Sequence, residues 1–83
     1  MSRVVPDEEL GDAAREVAAE LASGPTLAYG EVKRLVADSF GNSLDEQMER
    51  ETRAIADLAN QTEDAQAGIA AFIAKEKPTF DGR

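Results

Sequence analysis

The segment DEELGDAAREVAAELASGP, residues 7–25, carries the pattern that decides the fold class. Apolar side chains recur in it every three or four residues, which places them on one face of a helix. These residues are Leu10, Ala13, Ala14, Val17, Ala18 and Leu21. The acids that open the segment complement the positive end of a helix dipole. Ser23-Gly24-Pro25 ends the helix, because glycine accepts the left-handed conformation and proline cannot continue the hydrogen bonds.

Three more segments repeat this pattern and predict three more helices. Thr26 is placed to cap the second helix, which Gly41-Asn42 ends. Ser43-Leu44-Asp45-Glu46 has the sequence of a capping box, and we expect the third helix over about residues 44–59. Thr62, followed by two acids, is placed to cap the fourth helix.

The third helix differs from the others in having a narrow apolar stripe, which suits a helix that contacts its neighbours along one seam. Its apolar residues are Leu44, Met48, Ile55, Leu58 and Ala59. Residues that favour strands are too scattered along the chain to form a sheet. The sequence therefore predicts a single all-α domain, residues 1–83, with about four amphipathic helices that are open or loosely bundled.

The fourth helix contains a glycine in its apolar line. Gly68 in a helix costs about 0.5 to 1 kcal/mol relative to alanine, so its position indicates a close approach to another part of the protein. Pro78 disfavours helix in the residue before it, and we expect residues 78–83 to leave the helix and extend.

The composition limits both stability and function. The chain has 83 residues and neither cysteine nor histidine, so disulfides, thiolate metal sites and histidine catalysis are excluded. A chain this short is only marginally stable by itself, and a partner is the remaining ordinary source of stability. We expect the chain to associate with another protein or with copies of itself.

Charge and hydropathy indicate where the protein acts. The net charge of -8 repels nucleic acid and anionic membranes. No apolar run approaches the roughly 20 residues needed to cross a bilayer, and residues 1–6 lack the apolar stretch of a signal peptide. We expect a cytoplasmic protein that binds neither nucleic acid nor membrane.

The sequence contains few groups that could form a catalytic site. No phosphate-binding loop, zinc spacing or nucleophile elbow occurs in the sequence. Glu46 and Glu49 have the spacing of an acid/base pair, but together with Arg50 and Arg53 they are better interpreted as ion pairs on an exposed helix. We predict no catalytic residue and no metal site.

One short motif suggests an alternative. Asp38-Ser39-Phe40 resembles the Asp-Ser-Leu motif of acyl carrier proteins, in which the serine receives a phosphopantetheine arm, and such carriers are also short, acidic and helical. In carriers the serine begins a helix, whereas Ser39 ends one. The ordinary interpretation of Ser39 is a residue of the last helical turn.

The C-terminal part of the chain carries a stronger resemblance. It contains Gly68-Ile69-Ala70-Ala71-Phe72-Ile73-Ala74-Lys75, followed by Pro78-Thr79-Phe80-Asp81-Gly82. Shorter motifs that contribute to the same resemblance occur earlier in the chain, in the order Val4-Val5-Pro6 with Glu9-Leu10, Ser23-Gly24-Pro25, Lys33, Ser43-Leu44 with Met48 and Glu51, and Thr62-Glu63-Asp64. Over essentially its whole length the chain resembles the C-terminal segment of the enoyl-CoA hydratase/isomerase (crotonase) superfamily, in particular its phenylacetyl-CoA epoxide isomerase-like branch.

Two positions depart from the family pattern. Ala67 stands where the family usually has a glutamate before the glycine, and Glu76 stands where an arginine commonly follows the lysine. The first change removes a potential structural ion pair, and the second makes a strongly cationic patch less plausible.

The resemblance implies a role in assembly around acyl-CoA chemistry of the kind used in fatty acid metabolism. In the family, the C-terminal helices pack across subunits to form trimers and cover the acyl-CoA pocket, while the catalytic groups lie in an N-terminal spiral core. That core is absent from residues 1–83, so we expect the chain to be inactive alone, either as a truncated reading frame or as a fragment of a longer enzyme. An alternative is a stand-alone helical module that self-associates.

The resemblance also gives the only candidate binding residues. Phe72 and Lys75 match positions that approach the coenzyme A of a neighbouring subunit, with the ring against adenine and the ammonium group near phosphate. We expect no tightly bound cofactor in the chain itself. The ordinary interpretations are that Phe72 is a core residue of the fourth helix and that Lys75 is a solvated residue favoured by the helix dipole.

Overall fold

The computed structural model describes residues 3–83, which form four α-helices joined by short connections. They are α1 (Leu10–Ala22), α2 (Thr26–Asp38), α3 (Leu44–Gln61) and α4 (Glu63–Ala74). Short 3-10 helices precede α1 at Asp7–Glu9 and follow α2 at Ser39–Gly41. No strand occurs within residues 3–83, and the predicted all-α fold is confirmed.

The start of α3 follows its sequence signal closely. The Ser43 hydroxyl accepts a hydrogen bond from the Glu46 amide at 3.2 Å, and the Glu46 carboxylate accepts one from the Ser43 amide at 3.3 Å. This reciprocal pair is the predicted capping box. The helix extends to Gln61, two residues beyond the predicted end, because its last turn continues until Thr62 becomes extended.

The prediction that Thr26 caps α2 is wrong. Thr26 is already the first residue of the helix, and the flanking residue is Pro25, whose side chain makes no capping hydrogen bond. The carbonyl oxygen of Pro25 accepts the first hydrogen bond of the helix, from the Tyr29 amide at 3.1 Å. Proline has a restricted φ that is compatible with this position, so the helix begins without a polar side-chain cap.

Side-chain bonds fix the turn between α2 and α3. The Gln47 side-chain amide donates to the Leu35 carbonyl oxygen at 3.1 Å and accepts from Asn42 at 3.1 Å. Arg50 of α3 pairs with Asp38 at the end of α2, at 3.4 Å. These contacts cross between the two helices, and they hold α2 against α3.

The four helices do not close around a common core. Ala13 and Ala54 are the buried apolar residues of the described part of the chain, each 9% exposed. The radius of gyration is 16.1 Å, whereas a compact chain of this length has a radius of about 12 Å. The predicted open arrangement is therefore confirmed, and it leaves the apolar stripes of the helices exposed.

Candidate functional site

Helix α4 and the residues after it contain both candidate binding residues. The helix begins as predicted, because the Thr62 hydroxyl accepts a hydrogen bond from the Ala65 amide at 3.1 Å. Thr62 also donates to the Leu58 carbonyl oxygen at 2.7 Å, which links the start of α4 to the end of α3. One residue thus caps α4 and attaches it to the preceding helix.

Phe72 lies on the surface of α4. Its side chain is 84% exposed, and the adjacent Ile73 is 76% exposed. The interpretation of Phe72 as a core residue is therefore wrong for this chain, because the open arrangement brings no other helix over that face. An aromatic side chain and a large aliphatic one are both available for contact with another molecule.

Lys75 adopts a backbone conformation that is unusual for its residue type. It follows the last residue of α4 and has φ 59° and ψ 40°, which is the left-handed conformation. The Lys75 amide donates to the Phe72 carbonyl oxygen at 3.2 Å, and the Glu76 amide donates to the Ala71 carbonyl oxygen at 2.8 Å. This pair of bonds is a Schellman motif, in which glycine usually occupies the left-handed position.

Residues 78–83 are non-helical, as predicted, but α4 already ends at Ala74, and the residues after Lys75 return along it. The buried Asp64 carboxylate accepts hydrogen bonds from the amides of Asp81 and Gly82, at 2.8 and 2.9 Å. The Asp64 amide donates to the Arg83 carbonyl oxygen at 2.9 Å. We call residues 76–83 the tail. Sequence reasoning missed this contact, because Asp64 has the ordinary sequence signature of an acid in a first helical turn.

Gly68 faces another part of the protein, the Phe80 ring of the tail, but the predicted close approach is wrong as a reason for glycine. A Cβ at Gly68 would lie 3.5 Å from the Phe80 ring, which is ordinary van der Waals contact, so the space does not require glycine. Phe80 also lines an apolar groove of about 340 Å³ between α2, the end of α3 and α4. The tail therefore contributes a ring to the surface shared by these helices.

The remaining candidate groups make ordinary structural contacts. The Ser39 hydroxyl donates to the Val36 carbonyl oxygen at 2.7 Å, as expected of a residue in the last helical turn. Glu49 pairs with Arg53 at 2.6 Å, as predicted, whereas Arg50 pairs across to α2. Within residues 3–83, no three side chains of metal-binding type come together, and no helix is long and apolar enough to span a membrane.

Comparison with known proteins gives the family. The family model described as enoyl-CoA hydratase/isomerase matches residues 1–83, which is the whole chain. The chain belongs to the enoyl-CoA hydratase/isomerase family. This family acts on coenzyme A thioesters, and its members are typically homo-oligomers. The acyl-carrier alternative at Ser39 has no support from this assignment.

Individual relatives agree with the family assignment. The chain is 38% identical to 1,2-epoxyphenylacetyl-CoA isomerase of Escherichia coli over 81 residues, which cover 98% of the chain. A crystal structure described as an enoyl-CoA hydratase/isomerase from Mycobacterium abscessus matches with a TM-score of 0.89 and 41% identity over 96% of the chain. An enoyl-CoA hydratase structure from Geobacillus kaustophilus matches with a TM-score of 0.88 and 29% identity over all of it.

The enoyl-CoA hydratase/isomerase chain spans less than a third of these relatives. It covers 30% of the E. coli protein and 30% and 31% of the two crystal structures. The matched region is the helical C-terminal part of each relative. The resemblance stated from sequence is confirmed, and the open helices described above correspond to one part of a larger fold.

Proposed function

We propose that residues 1–83 form the C-terminal assembly segment of an enoyl-CoA hydratase/isomerase, and that they do not catalyse a reaction alone. In this proposal the helices pack against a catalytic core, or against neighbouring subunits, and cover the acyl-CoA pocket. The observation that carries the proposal is the exposed apolar surface. It includes side chains of all four helices: Leu10, Leu21, Val32, Val36, Met48, Ile55, Phe72 and Ile73.

The amount of exposed surface supports an extensive interface. The chain exposes 6916 Å². A compact monomer of 8.9 kDa exposes about 2,000 Å² less. A standard protein interface buries about 800 Å² on each partner, so the surplus is large enough for an obligate interface. Large apolar side chains exposed on all four helices are typical of a surface that is covered in the assembled protein.

We also propose that Phe72 and Lys75 contact the coenzyme A of a neighbouring subunit. Both are exposed and belong to the last turn of α4 and its end. An aromatic ring of this kind can stack on adenine, and a lysine supplies a mobile positive charge for phosphate. The chemistry of the reacting thioester would then be performed by residues outside this segment.

A fusion protein tests the proposed function. The part of the E. coli relative that precedes the matched region is joined to residues 1–83, and its oligomeric state and isomerase activity are measured. We expect the fusion to form an active oligomer. The E. coli part alone and residues 1–83 alone are the controls, and neither is expected to be active.

The same measurements distinguish the proposed assembly role from the alternative of a stand-alone module that self-associates. A stable, folded oligomer formed by residues 1–83 alone, together with an inactive and unassembled fusion, would contradict the assembly role and favour self-association. Sedimentation equilibrium gives the mass of each species, and enzyme assays of the fusion give the activity.

A further inference from the structure

The contact between Asp64 and the tail joins the two ends of α4. Asp64 is 4% exposed, and both of its carboxylate oxygens accept backbone hydrogen bonds from the tail, while its amide donates to Arg83. Hydrogen bonds to an ionised carboxylate are stronger than those between neutral groups. Three hydrogen bonds to Asp64 therefore hold the tail near the start of α4.

The tail has the length needed to run back along the helix. The ten steps from Asp64 to Ala74 span about 15 Å at the helical rise. The five steps from Glu76 to Asp81 span about 16 Å in an extended chain. Phe80 lies against Gly68 along this path. The tail therefore runs from the chain reversal at Lys75 back along α4 to the contact at Asp64.

The reversal requires an unfavourable conformation at Lys75. A residue with a Cβ is disfavoured at φ 59°, because its Cβ approaches the following carbonyl oxygen. Such a conformation persists when the surrounding structure enforces it. The fixed position of Asp81 and Gly82 at the far end of the tail supplies such a restraint.

We propose that Asp64 is a positioning residue for Lys75: by holding the tail at the start of α4, it keeps Lys75 in the left-handed turn at the other end. The conformational role stands on the contacts described above. Its consequence for coenzyme A rests on the proposed function, because Lys75 is the residue expected to approach the phosphate. Asp64 itself lies at the opposite end of α4 from Lys75.

The first test compares Asp64→Ala with Glu63→Ala. Glu63 is the neighbouring exposed acid, so its removal changes the helix N-terminal charge equally without touching the tail. NMR spectra of the full chain report the backbone conformation of residue 75 and the exchange of the Asp81 and Gly82 amides. Asp64→Ala is expected to abolish both the left-handed signature and the amide protection, whereas Glu63→Ala preserves them.

Two further variants separate loss of the contact from loss of the helix. A chain ending at Phe80 removes the bonded tail residues and leaves α4 unchanged, and it should lose the left-handed signature at Lys75 as Asp64→Ala does. In the Asp64→Ala background, Lys75→Gly should restore the turn, because glycine adopts it without restraint. Persistence of the left-handed turn at Lys75 in either the shortened chain or Asp64→Ala would overturn the proposal.

Proteolysis provides a second measurement, in the fusion with the E. coli core. Trypsin cleavage after Lys75 requires the tail to be released, and we expect Asp64→Ala to accelerate it about tenfold or more relative to Glu63→Ala. Equal rates in the two variants would contradict the positioning role.

Coenzyme A affinity distinguishes failure of this proposal from failure of the proposed function. If Lys75→Ala weakens coenzyme A binding by the fusion but Asp64→Ala neither releases the tail nor weakens binding, the positioning role is wrong. If Asp64→Ala abolishes the left-handed turn at Lys75 and Lys75→Ala leaves binding unchanged, the positioning role stands and the proposed contact of Lys75 with coenzyme A is wrong.

Discussion

Lys75 is the residue at which stability and the proposed function conflict. A left-handed conformation costs a residue with a Cβ roughly 1 to 2 kcal/mol relative to the ordinary helical region, and glycine avoids this cost. Lys75 nevertheless carries the charge that we propose for coenzyme A. A lysine held in this unfavourable conformation is consistent with a role for its side chain.

We expect Lys75→Gly to stabilise the fold by about 1 kcal/mol and to weaken coenzyme A binding in the fusion. Thermal unfolding followed by circular dichroism measures the first effect, and ligand titration measures the second. Lys77→Gly is the matched control, because Lys77 is exposed, lies in the tail and does not have a positive φ. A Lys75→Gly variant that is destabilised, or that binds coenzyme A as tightly as the parent, would contradict this assignment.

Phe72 differs from Lys75, because we expect its side chain to contribute little to the stability of the isolated chain. Since the ring is 84% exposed, Phe72→Ala should change the free energy of unfolding of the isolated chain by less than about 0.5 kcal/mol. In the assembled fusion, loss of a buried aromatic contact should weaken association about tenfold or more. Analytical ultracentrifugation measures this effect, with Ser39→Ala as the control. Equal and negligible effects of the two substitutions would argue against docking through α4.

At the scale of the helices, sequence and structure agree where a local signal determines the result. The capping box of α3 and the Thr62 cap of α4 depend on side chains and amides within one turn, and both were predictable. The start of α2 was not, because Pro25 allows the helix to begin without the Thr26 hydroxyl. The Asp64 carboxylate bonds to the amides of Asp81 and Gly82, which lie 17 and 18 positions further along the chain. No local sequence pattern specifies a pairing over that distance.

This difference between α2 and α3 gives a prediction about their caps. Ser43→Ala removes a capping acceptor and should destabilise the fold by about 1 kcal/mol. Thr26→Ala removes no capping bond and should have no comparable effect, since alanine also favours helix. Denaturant unfolding of the two variants provides the comparison. A larger loss of stability for Thr26→Ala than for Ser43→Ala would be inconsistent with the observed helix starts.

At the scale of the whole molecule, the apolar stripes predict the open arrangement but not the partner that covers them. The narrow stripe of α3 indicates that the helices cannot all surround one core, and the buried apolar residues within residues 3–83 are accordingly two alanines. In the proposed assembly, the surface that each helix contacts depends on residues of the partner, which this sequence does not contain. The candidate residues Phe72 and Lys75 came from family resemblance, because neither periodicity nor charge distinguishes them from an ordinary exposed helix end.

The combination of apolar faces and a net charge of -8 predicts how association of the isolated chain responds to salt. Burial of the apolar faces favours association, whereas repulsion between equally charged copies opposes it. Raising the ionic strength from about 0.01 M to about 1 M shortens the screening length from about 30 Å to about 3 Å and removes most of that repulsion. We therefore expect the weight-average mass in sedimentation equilibrium to increase with sodium chloride, and helicity to increase with it. Dissociation at high salt would mean that intermolecular ion pairs, and not the exposed apolar faces, hold the copies together.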